Sequence, residues 1–178
     1  MSTPPRQSTA TPEQWPDLAG RQTRDGGHVL PVRVYYEDTD VGGVVYHAAY
    51  LRFCERARSD WLRLLGIHHG DLKADDGRAL HFVVRRMECD FLCPARLDDV
   101  LEVRTQLVKA SRVRLLARQA VHLLRPGAHW LQPPPQTGPI FSATVTVAVI
   151  DDSGRPARLP QWAMRIMQGL QGEHTGAE

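Results

Sequence analysis

The chain has 178 residues, 42% of them hydrophobic and 24% charged, which suits one domain with a real core. Its 22 Lys and Arg against 20 Asp and Glu leave a net charge of +2, too little to argue for a nucleic-acid partner. Three cysteines without a C-x-x-C pair read as reduced thiols, and the spacing of Cys89 and Cys93 is not one that zinc sites use, so neither a disulfide framework nor a metal is expected. No apolar run approaches the roughly 20 residues of a membrane span, and the N-terminus lacks the apolar stretch of a signal peptide; the expectation is a soluble, cytoplasmic protein.

In chain order, residues 1–27 are rich in Pro, Thr, Gln and Gly and poor in aliphatics, the composition of a disordered tail. Val32, Val34 and Tyr36 then alternate with Arg33, Tyr35 and Glu37, the period of a half-buried strand. Three acids follow in "EDTD", then Gly42 and Gly43. From about Ala48 to Leu65 the apolar spacing becomes three and four, through Tyr50, Phe53, Cys54, Ala57, Trp61 and Leu64, which predicts a long amphipathic helix. Arg52, Glu55, Arg56, Asp60 and Arg63 fall mostly on its other faces, while Arg58 needs a local partner, and Gly66 is the stop signal.

Beyond a polar connection come four β-rich runs, "LHFVVRRMECDF", "VLEVRTQLV", "VRLLARQAVHLL" and "IFSATVTVAVI". Short links such as "CPARLDD" and "KASR" predict an antiparallel meander, and "RPGAHWLQPPPQTGP", over 125–139, a long hairpin loop. Gln161 to Leu170 is a short amphipathic closing helix, and 172–178 a flexible end. The prediction is a single α+β domain over 28–171, five strands and one helix on a sheet face. Such a sheet has exposed edges, and pairing an edge strand with a second copy covers one, so at least a homodimer is expected.

The stretch "VRVYYEDTDVGGVVYHAAYLRFCERAR", Val32 to Arg58, closely resembles the signature of the YbgC-type acyl-CoA thioesterases of the hotdog superfamily, the Tol-Pal-associated branch. "FVVRRMECDFLCPARLDDVLEV" is similar to that family's following strand pair. The likeness is strong from Pro31 to Val108 and weaker to about Pro160. It implies a hotdog fold, a five-stranded antiparallel sheet wrapped around the central helix, in homodimers or homotetramers with active sites between subunits. It also implies hydrolysis of acyl-CoA, or of acyl carrier protein thioesters, with no cofactor, because CoA is part of the substrate. By position, the family's catalytic aspartate falls on Asp40, its motif tyrosine on Tyr36 and its histidine on His47.

Ionised at neutral pH, Asp40 would attack the thioester carbonyl or activate a water for that attack. Gly42 and Gly43 permit close approach of substrate, and the helix start offers free N–H groups from Val44, Val45 or Tyr46 to the developing oxyanion. On the residues alone Asp40 reads first as an acid of the turn, and Tyr36 as a core residue of its strand. Arg85, Arg86, Lys109, Arg112 and Arg114 lie near predicted strand ends, where Arg86, Lys109 and Arg112 would hold the phosphates of CoA or simply line a solvated edge. Two other functions compete: a hotdog dehydratase or hydratase, and a non-catalytic module that binds acyl carrier protein.

Overall fold

The computed structural model describes residues 20–68, 70–127 and 138–172. Most of the expected tail, His69, most of the 125–139 loop and the last six residues lie outside them. Helix α1 (His47–Leu64) is followed by Gly66 in the left-handed region at φ +74°, where a side chain would be strained. Its 18 residues span about 27 Å. Strands β2 (His28–Arg33), β3 (Leu80–Phe91), β4 (Val100–Ala110), β5 (Arg114–Arg125) and β6 (Phe141–Asp151) form one antiparallel sheet, and helix α2 (Gln161–Gly172) closes the described chain.

A sixth strand corrects the expected five. Residues Arg21–Gln22, β1, pair with Val29 and His28 of β2, inside the stretch expected to belong to the tail. The cause is a buried carboxylate that helix periodicity placed on a polar face. Asp60 of α1 is buried, and its Oδ2 accepts the Gly20 N–H at 2.7 Å and meets His28 Nε2 at 2.8 Å. Its Oδ1 accepts from Arg63 Nη1 at 2.9 Å. Gly20 lies so close that a Cβ there would sit 2.3 Å from the Val29 carbonyl oxygen, so only glycine fits.

The sheet order β1-β2-β4-β5-β6-β3 also corrects the meander. Strands β4, β5 and β6 are sequential neighbours, but β3 pairs with β6, Val84 opposite Val147, and forms the far edge. The link after β3 is of hairpin length yet closes no hairpin. Leu92 and Cys93 donate their N–H groups to Ile140 O, and the chain then crosses the end of the sheet to β4. Asp99, fully buried, fixes this crossing strap by accepting from Arg96 N–H (2.8 Å) and Gly127 N–H (2.6 Å).

Alternation along β6 is complete, with Phe141, Ala143, Val145, Val147 and Val149 turned inward. Beneath the first half of α1, Tyr50, Phe53, Cys54 and Ala57 pack on Leu101, Val103, Val121 and Phe141; beneath the second half and α2, Trp61, Leu80, Val145, Val149 and Met167 form a second cluster. Arg58 finds its local partner in the buried Gln119, 2.7 Å from Nη1 to Oε1. Among the described residues no helix is long and apolar enough to cross a membrane.

Phe53 is wholly buried between α1 and the sheet. Phe53→Ala is expected to lower stability by about 3–5 kcal/mol, read from the midpoint of chemical denaturation. An unchanged midpoint would mean that this helix is not what the sheet folds against.

Candidate active site

The strand expected to carry Tyr36 ends at Arg33, and the difference starts with one side chain. Asp38 is buried, and its Oδ2 accepts the Tyr35 N–H at 3.0 Å while its own N–H returns to Tyr35 O. This coils Tyr36–Asp38 into a 3-10 turn and leaves Tyr36 83% exposed instead of in the core. Arg52 of α1 brings Nη2 to 3.5 Å from Asp38 Oδ1, joining the turn to the helix.

Next the chain folds into a miniature hairpin. Thr39 bridges to Val45, the Asp40 N–H donates to Val44 O, and Gly43 N–H donates to Asp40 O, both at 3.0 Å. Gly43 adopts φ +71°, which the tight turn requires. The hairpin rests on the crossing strap through the Val44–Arg96 bridge and through Val45 N–H to Ala95 O at 2.8 Å. The strap is held in turn by Tyr50, whose buried hydroxyl accepts the Ala95 N–H at 2.8 Å.

Asp40 thus stands on a rigid turn, exposed in the single chain, with Oδ1 accepting the Gly42 N–H at 2.8 Å. Its Oδ2 has no partner among the described residues. Two of the three proposed oxyanion donors are already engaged: Val45 N–H by Ala95 O and Tyr46 N–H by Asp38 O. That corrects the assignment of Val45 and Tyr46. Val44 N–H has no acceptor among the described residues, and neither do His47 N–H and Ala48 N–H, the first two groups of α1. Tyr46 occupies the position before the helix and offers no side-chain cap. The helix therefore starts with donors unsatisfied and its positive end open. Periodicity could not show that the His47 and Ala48 amides stay unengaged, because the register of the hairpin, not the helix pattern, decides which amides are taken.

The His47 ring lies 4.2 Å from that of Tyr46 and 6.4 Å from that of Phe91, the last residue of edge strand β3. Phe91 packs at 5.1 Å on Phe141, which stacks on Tyr50 at 5.1 Å, yet stays 53% exposed. The site therefore adjoins the open edge of the sheet.

The basic candidates are not gathered here. Arg86 pairs with Glu88, and Arg112 turns its guanidinium to Leu159 O at 3.3 Å. Lys109 is near the opposite end of β4 from Asp99, about 30 Å along the strand. Cysteine chemistry is disfavoured as well, because burial pushes the Cys54 thiol up to about 12 and raises Cys89 too.

The profile of the thioesterase superfamily matches residues 42–127. The acyl-CoA thioesterase YbgC of Haemophilus influenzae is 42% identical over 127 residues, 71% of this chain and 83% of that protein. The acyl-CoA thioester hydrolase YbgC of Escherichia coli is 48% identical over 91 residues, 51% of this chain; the match spans 66% of that relative, slightly under two thirds of its length. A crystal structure of a probable thioesterase from Bartonella henselae superposes with a TM-score of 0.65 at 36% identity, covering 75% of this chain and 99% of that one.

Removing the carboxylate that shapes the turn should loosen it. Asp38→Ala is expected to cost about 1–3 kcal/mol, measured by urea titration, with faster amide exchange at Tyr35. Unchanged exchange at Tyr35 would show that something other than this carboxylate holds the turn.

Proposed function

Because the chain belongs to the YbgC family of acyl-CoA thioesterases, with the hotdog fold of the thioesterase superfamily, we propose that it hydrolyses the thioester of an acyl-CoA and that Asp40 supplies or activates the attacking oxygen. The observation that carries this reading is the pairing, through one seven-residue hairpin, of an exposed carboxylate with an uncapped helix start. As the oxygen bonds to the carbonyl carbon, negative charge moves to the carbonyl oxygen, where His47 N–H and Ala48 N–H, with Val44 N–H, are the available donors. Collapse of that intermediate breaks the C–S bond and releases the CoA thiolate. Thiolate is a good leaving group, so no strong general acid is needed.

Asp40 is exposed in the single chain, and the His47 ring at the helix start that follows it lies 6.4 Å from that of Phe91 at the end of the β3 edge. Strand β3 is 12 residues long, with Val83, Val84, Phe91 and Leu92 exposed on and beside it. A long edge with apolar side chains invites self-pairing. We therefore place the active site between two copies whose β3 strands pair antiparallel. A cytoplasmic setting suits the three unpaired thiols, and a link to the Tol-Pal system is carried only by the family resemblance.

Release of free thiol from a panel of acyl-CoAs, with an acyl carrier protein thioester in parallel, tests the chemistry. Asp40→Asn is expected to lower kcat by at least about a hundredfold with the fold intact. His47→Pro removes one amide proton at a helix position that tolerates proline, and should cost about a hundred- to a thousandfold, far more than His47→Ala. Equal rates for wild type and Asp40→Asn would end this reading; equal losses in the two His47 variants would shift the donor role to another amide. By light scattering the active particle is expected to hold at least two chains, each of 20.0 kDa. Full activity in a monomer would remove the interface from the site.

A further inference from the structure

The carboxylate of Asp40 and the free amides stand on different elements, the first on the hairpin and the others, on His47 and Ala48, at the start of α1. Gly42 and Gly43 lie between them in the chain, so covalent connection alone leaves their separation loose. A closed loop of contacts removes that freedom. The hairpin rests on the strap through the Val44–Arg96 bridge and through Val45 N–H to Ala95 O at 2.8 Å. Ala95 then donates its own N–H to the Tyr50 hydroxyl, also at 2.8 Å. Tyr50 stands on α1 three residues after His47, about one turn along the helix. Hairpin, strap and helix start are thus joined, and the Tyr50 hydroxyl is the link that returns the strap to the helix.

Packing does not require that hydroxyl. The Tyr50 ring stacks on Phe141 at 5.1 Å with 16° between the planes, and Phe53 and Phe91 meet it edge-on at 6.2 and 5.8 Å. A phenylalanine would keep all three contacts. Ala95 is wholly buried, so without the hydroxyl its N–H loses its acceptor and the strap loses its hold on the helix. Burial raises the Tyr50 hydroxyl above its ordinary range, so it keeps its proton at neutral pH and serves there as an acceptor, not as a base. Only 3% exposed, Tyr50 lies behind the site rather than in it.

We propose that Tyr50 is a positioning residue for thioester hydrolysis: its hydroxyl, bound to Ala95 N–H, fixes how the Asp40 carboxylate stands against the free amides of the helix start. This rests on the thioesterase reading above. Tyr50 touches no reacting atom; it acts through Ala95 and Val45. A misplacement of about 1 Å between reacting groups costs on the order of a hundredfold in rate, so a brace of this kind shows in kcat.

The test measures kcat and KM of Tyr50→Phe on the acyl-CoA that wild type turns over fastest in the panel above, with free thiol as the readout. The expected result is a fall in kcat of at least about tenfold while KM changes by less than about twofold. A double-mutant cycle separates positioning from simple support of the fold. In an Asp40→Asn background Tyr50→Phe should cost less than about twofold, because the carboxylate whose placement it secures is gone. A residue that only keeps the chain folded would lower both backgrounds alike. Equal losses in the two backgrounds, or an unchanged kcat in Tyr50→Phe, would overturn the proposal. If Tyr50→Phe does not fold, Asp99→Asn loosens the strap from its other end with Tyr50 in place, and the same split and the same cycle decide. No turnover of any panel thioester by wild type would overturn the thioesterase reading and this role with it. Turnover by wild type with no loss in Tyr50→Phe would overturn the positioning role alone.

Discussion

Two main-chain hydrogen bonds set where α1 begins: Val45 N–H to Ala95 O and Tyr46 N–H to Asp38 O, both 2.8 Å. They use the last two amides before the helix and leave the next two, on His47 and Ala48, with no acceptor among the described residues. A serine or aspartate at position 46 would take one of those protons, as helix caps ordinarily do. Tyr46 does not. In the single chain these donors and the open positive end of the helix face solvent, and the surrounding hydrogen bonds hold the first turn in place.

Those bonds depend on the strap between β3 and β4. The bond from Ala95 N–H to the Tyr50 hydroxyl and the two backbone amides that Asp99 accepts hold the strap where Ala95 O meets Val45 N–H. Asp98 adopts φ +65°, an uncommon conformation for a residue with a side chain, at the point where the strap bends into β4. The aromatic stack of Tyr50, Phe141 and Phe91 fills the space below. Backbone polarity, buried carboxylates and ring packing thus act on the same few residues, and Asp40 stands on the result.

The interior of α1 is less apolar than its periodicity suggests. On one flank Asp60 ties the helix to His28 and Gly20; on the other Arg58 reaches Gln119. Each satisfies a buried group across elements far apart in sequence, which fixes how the helix lies on the sheet more narrowly than apolar contact would. Burial outweighs the Asp60 carboxylate and holds the His28 imidazole below its ordinary range. The two flanks differ in one respect: Asp60 forms an ion pair with Arg63, whereas the side-chain hydrogen-bond partner of Arg58 among the described residues is the neutral amide of Gln119.

Local chemistry wrote much of this protein into the chain. The three-and-four spacing from Tyr50 to Leu64 and the glycine after it determined α1, β-rich runs marked β3 to β6, and the ordered run from Val32 to Arg58 carried the family. Each depends on residues a few positions apart, so composition and period suffice to show it. What tertiary structure decided has no sequence period, whether the partner is near or far: that β3 joins β6, that residues 21 and 22 add a strand, that Tyr36 leaves the core because Asp38 enters it, and that Val45 and Tyr46 give their amides to the strap and the turn. A hydrogen bond between residues fifty positions apart has no period, and only the closed fold shows which amides of the helix start remain free.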